Sequence, residues 1–124
     1  MPAPGETDLA AMLATLSVQR RPGVFAYIAV QVPTPGLIAA AHALVKEGRL
    51  TTIVLPVDAA ARAGQATDVQ FAWLTLTVQS SLDAVGLTAV VSARLAAIGI
   101  PCNVLAGYHH DHLLVPVDRV DDAI

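Results

Sequence analysis

Apolar residues recur along the chain with two different periods, and each change of period marks a change of element. Thr7 stands where a helix N-cap would, and Leu9, Met12, Leu13 and Leu16 follow at i, i+3, i+4 and i+7, predicting a short amphipathic helix that stops near Ser17. Arg20, Arg21, Pro22 and Gly23 break the pattern. VFAYIAVQV, Val24 to Val32, is rich in β-branched and aromatic residues and reads as a strand. Thr34 as cap and Pro35 at the first helical position introduce Leu37, Ile38, Ala41, Leu44 and Val45 at helical spacing, so a helix ending at Gly48 is expected. TTIVLPV, Thr51 to Val57, is a second strand closed by proline, and DAAARAG after it is a helix of one or two turns with a glycine stop.

The second half repeats this alternation. Leu74, Leu76 and Val78 alternate with Thr75 and Thr77, a strand with one face in a core, and Trp73 shares the threonine face. From Asp83 onward Leu87, Val90, Val91, Leu95 and Ile98 fall on one helical face, and Gly99 ends the helix. Ile100, Cys102 and Val104 alternate with Asn103 and Leu105 as a strand, Ala106 to His109 can turn, and Leu113, Val115 and Val117 make the return strand. Strand, helix, strand, strand with a right-handed crossover is the first part of the βαββαβ ferredoxin-like arrangement, an α+β fold with helices on one face of an antiparallel sheet.

A fixed offset supports two related halves. IVLPVDAA, Ile53 to Ala60, lies 60 positions before LLVPVDRV, Leu113 to Val120, matching Pro56 with Pro116 and Asp58 with Asp118. Each proline would end its strand and each aspartate would cap the helix that follows, so local structural need explains the match as well as duplication does. The halves are expected at 1–66 and 67–124.

Composition narrows the classes. The chain has 124 residues, a formal charge of −3 and 55% hydrophobic residues, which suits one folding unit or two small halves sharing a core. No apolar run reaches the roughly 20 residues of a membrane span. The acidic balance gives no counterion-release drive toward nucleic acid. The start is acidic and lacks the basic lead of a secretory signal, so the cytoplasm is expected. A single cysteine, Cys102, excludes an internal disulfide.

SSLDAVGLTAVVSARLAAIGIPCNVLAGYHHDHLLVPVD, Ser80 to Asp118, resembles the small bacterial tandem ACT-domain proteins of uncharacterised function. LDAVGLTAVVSARLAAIGI is similar to the general ACT signature of a strand, a loop ending in Gly-Leu, a helix, and Gly-Ile before the next strand. HDHLLVP resembles the smaller family in particular, and the likeness extends to Lys46-Glu47-Gly48 and the strand after it. The chain departs from that family in the mixed-charge segment Lys46 to Leu50, often more acidic there, and in stopping at Ile124 before a last strand. The resemblance implies an ACT fold of two ACT-like halves and a regulatory module without chemistry or cofactor. Its ligand would be a small molecule, an amino acid above all, and its target a separate protein. It puts the ligand near Ser81, Leu82, Asp83, Ala84, Val85 and Gly86, beside Asn103.

Those residues have chemistry of their own to offer. A helix beginning after Asp83 presents free backbone N–H groups, and Ala84 and Gly86 leave room for a carboxylate. Asp83 either caps that helix or receives an ammonium group, and Asn103 either contacts ligand or bonds to backbone. A second constellation is His109, His110, Asp111 and His112. If the hairpin turns about Gly107, Cys102 lies across from His112, and with His110 the two would offer three ligands of the kind zinc prefers. The same residues supply the alternative of a metal- or cysteine-dependent enzyme, with Cys102 as nucleophile, a histidine as base and Asp111 as orienter. No Walker loop, G-x-G-x-x-G, H-E-x-x-H or paired-cysteine motif occurs, which favours binding over catalysis. Trp73, Thr75 and Thr77 form an outer sheet face expected to pair with a second copy, giving a homodimer.

Overall fold

A computed structural model describes residues 16–77 and 87–124. In chain order the elements are β1 (Ser17–Arg20), β2 (Phe25–Val30), α1 (Pro35–Ala40), β3 (Ala43–Glu47), β4 (Leu50–Pro56), α2 (Val57–Arg62) and β5 (Phe71–Thr77). They continue with α3 (Leu87–Ala97), β6 (Asn103–Ala106), β7 (Asp111–Pro116), a 3-10 turn (Val117–Arg119) and α4 (Val120–Ala123). The helix expected over Leu9 to Leu16 lies almost wholly outside the described residues. Two compact units result, one of residues 22–72 and one joining the N-terminal residues through Arg21 to 73–124. The N-terminal residues join the second unit because β1 pairs with β5 and not with its sequence neighbours.

In the 22–72 unit β4 lies between β3 and β2, antiparallel to both, with Ile28 opposite Ile53 and Leu44 opposite Ile53 on the other side. Ala26 and Ile28 from β2 and Ile53 and Leu55 from β4 are two residues apart on their strands, so all four reach one face. Leu37 and Ala40 of α1 and Val57 and Ala60 of α2 cover that face. Thr34 caps α1 as its sequence position predicts, its Oγ1 accepting from the Leu37 amide at 3.2 Å.

Helix α1 ends at Ala40, short of the expected Gly48. Ala41 turns extended, and Ala43–Glu47 becomes an edge strand paired with β4, joined to it by Gly48 at φ +63° and Arg49. Leu44 and Val45 satisfy a helical period as well as a strand, and the ladder to β4 decides between them. The aspartate caps are also corrected. Pro56 and Pro116 occupy the N-cap positions with no side-chain bond, and Asp58 and Asp118 lie in the first turns, where their charge still complements the helix N-terminus. Helix α2 ends in a Schellman motif, with Gly64 at φ +75° bonded to the Ala61 carbonyl and Gln65 to that of Ala60.

In the unit of 73–124 the strand order is β1, β5, β7, β6. Strand β1 is antiparallel to β5, with Ser17 opposite Thr77 and Arg20 opposite Leu74. It thus takes the place beside the first strand that the last strand of a βαββαβ unit would take. Helix α3 closes like α2, with Gly99 at φ +73° bonded to Ala96 and Ile100 to Leu95, and both Leu95 and Ile100 buried. Ile98, expected on the core face, follows the helix and is half exposed. Burial along 53–60 and 113–120 is the same position for position: three buried residues, two half-buried, an exposed aspartate, one half-buried, and a buried Ala60 or Val120.

Candidate functional site

Ser81, Leu82, Asp83, Ala84, Val85 and Gly86 lie outside the described residues. Asn103 opens β6 with an exposed side chain, its backbone opposite Leu114 of β7. The adjoining hairpin turns one residue later than expected. Gly107 to His110 form the turn, closed by the Gly107 amide on the His110 carbonyl at 2.9 Å, so Leu105 and not Cys102 stands across from His112. His109 and His110 are exposed in that turn, and Tyr108 at its tip is 98% exposed. Cys102, His110 and His112 are therefore not brought together, and among the described residues no group of three His, Cys, Asp or Glu could hold a metal ion.

Cys102 is half-buried just before β6. Burial pushes its thiol above the usual range, against the smaller opposing effect of a hydrogen bond with Ser92. A reactive cysteine needs a stabilised thiolate, and this environment works the other way.

His112 instead belongs to a network that strand alternation alone does not reveal. Its Nδ1 lies 3.2 Å from Trp73 Nε1 and 3.0 Å from Thr75 Oγ1. An indole N–H can only donate, so Nδ1 accepts and the neutral ring carries its proton on Nε2. The guanidinium of Arg21 lies over the Trp73 ring, 4.1 Å from its centroid, and the Arg21 amide donates to the Trp73 carbonyl at 2.8 Å. Burial first, then the charges of Arg21 and His110, hold His112 below its ordinary pKa, with Asp111 opposing. Trp73, expected on an open face, is 3% exposed because these side chains of its own chain cover it. The alternation of Trp73 and Thr75 was visible in sequence, but their partner lies 37 to 39 residues away.

Each unit also has a hollow. In the 22–72 unit, Thr34, Gly36 and Leu37 face Ala59 and Arg62 across an open groove of about 260 Å³. In the other unit an apolar cavity of about 150 Å³ has Leu74, Leu76 and Leu113 on its strand side and Val91 and Leu95 of α3 opposite, with Arg94 its one charged lining residue.

The family model of the ACT domain matches residues 68–124, the span of β5, α3, β6 and β7. A crystal structure of a Vibrio cholerae protein of unknown function, described as a possible transport protein, is 33% identical. The match covers 96% of this chain and 92% of that one, with a TM-score of 0.86. The chain belongs to one family with this protein of unknown function, and its residues 68–124 match the ACT domain. A protein from Agobacterium tumefaciens, 15% identical over 87% of this chain and 83% of its own, shares the fold at a TM-score of 0.65. No curated protein matches. ACT domains are generally regulatory modules that bind small molecules. Among the described residues no helix is long and apolar enough to cross a membrane.

Proposed function

We propose that this ACT-domain protein is a small-molecule sensor without catalytic activity, binding an amino acid at the loop 81–86 beside Asn103 and acting on a separate protein in the cytoplasm. The reading takes the chain as two ACT-like halves that work as a homodimer. The family match over residues 68–124 carries it. The element order strand, helix, strand, strand in both units and the equal burial along 53–60 and 113–120 are consistent with two halves. Gly86 immediately precedes α3 in sequence and carries no side chain to exclude a carboxylate.

Thermal unfolding of untagged protein against the twenty amino acids and a panel of divalent metals, with and without EDTA, tests this. An amino acid at about a hundred times its dissociation constant stabilises by roughly 2.7 kcal/mol, several degrees for a domain of this size. One amino acid should shift the midpoint regardless of EDTA, and Gly86→Trp should lose the shift while keeping its circular dichroism. A response to metals alone, or to none of the compounds, would sink the reading.

A further inference from the structure

The apolar cavity beneath α3 has a chemistry distinct from that of the loop 81–86. Its strand side is built from Leu74 and Leu76, two residues apart on β5, and Leu113 of β7, all buried. The helix side is built from Val91 and Leu95, one turn apart on α3. The lining includes short side chains, Val90 and Val91 from α3 and Ala123 from α4. At about 150 Å³ with a largely aliphatic wall, the cavity admits a molecule of roughly benzene size.

Arg94 adds direction. It is exposed, it borders the cavity, and among the described residues it makes no ion pair. A guanidinium presents paired donors that match a carboxylate. No side chain in the lining accepts a hydrogen bond, so a ligand ammonium group would find no side-chain partner there and would sit near the like charge of Arg94. We propose that this cavity binds a small monocarboxylate lacking an amino group, with a branched or single-ring body of about five to seven carbons in the cavity and its carboxylate on Arg94. This proposal does not rest on the amino-acid reading above.

Thermal unfolding of the full chain at constant ionic strength with benzoate, 3-methylbutanoate and the matching neutral alcohols tests the assignment. In the unaltered protein the two carboxylates should raise the midpoint by several degrees, and the alcohols by less. Arg94→Gln should reduce the carboxylate response to that of the alcohol and leave the alcohol response intact. Val91→Phe should fill the cavity and abolish both responses, with Val91→Leu as the milder filling variant where phenylalanine overpacks. Gly86→Trp should keep the carboxylate response, which separates failure of this site from failure of the loop site. Equal carboxylate shifts in Arg94→Gln and the unaltered protein, or no shift in the unaltered protein, overturn the proposal.

Discussion

His112 Nδ1 holds two neighbours in place only while it is neutral. Protonation at that atom removes the acceptor shared by Trp73 and Thr75 and sets a cation beside Arg21 and His110, with only Asp111 of opposite sign among the groups acting on it. The folded-state pKa lies below the ordinary 6.5, so the unfolded chain takes up its proton first as pH falls. Stability from this residue is therefore whole above pH 6.5 and declines as pH drops from there through the lower folded value. Asparagine in place of His112 retains an acceptor and cannot titrate. Between pH 7.5 and 5.5 the unfolding midpoint of the unaltered protein should fall about 1–3 °C further than that of His112→Asn. Equal slopes for the two proteins would remove His112 as the cause. Trp73 is the sole tryptophan, so its emission reports on the same site. Here the strand periodicity exposed one side of the network, Trp73 and Thr75, and hid the other, because nothing local to residue 112 marks its cross-strand partner.

The turn between β6 and β7 packs against the same histidine. A Cβ at Gly107 would lie 2.9 Å from both His112 Nε2 and the His110 carbonyl oxygen, so this glycine is demanded by close approach rather than by a positive φ. Gly107→Ala should cost about 1–3 kcal/mol in urea unfolding and shift Trp73 emission through displacement of His112. Gly36→Ala is the contrasting case, since its new Cβ would meet only Thr34 Oγ1 at 4.0 Å in the first turn of α1. It should be neutral or stabilise by up to about 1 kcal/mol, and equal losses at the two glycines would refute the packing argument. Where elements were misread, the competing signals were evenly matched. Leu44 and Val45 fit either period, and Gly48-Arg49 after them suits a helix stop as well as the hairpin that forms. Where one signal stood alone, as at Thr34-Pro35 or at the glycines after α2 and α3, the sequence reading and the fold agree.

At the scale of the whole molecule the chain borrows a strand from far upstream. Residues 73–124 contain strand, helix, strand, strand and a helical turn, and β1 completes the edge beside β5 with four antiparallel pairs. Nothing local in the sequence names this donor strand. Ser17–Arg20 is polar, short and largely exposed, with Val18 alone resembling a core residue, so no local pattern distinguishes it from a linker. Its value is non-local: it pairs the backbone of β5, and Arg21 directly after it covers the Trp73 ring. An uncovered β5 edge would leave hydrogen-bonding groups open to other chains. Two truncations isolate this contribution, one starting at Leu16 and one at Pro22, which differ only by β1 and its immediate flanks. The Pro22 protein should unfold several degrees below the Leu16 protein, show Trp73 emission shifted to the red, and self-associate at concentrations where the longer one does not. If the two proteins share a midpoint and an emission maximum, β1 contributes nothing to the domain, and the edge of β5 must be satisfied in some other way.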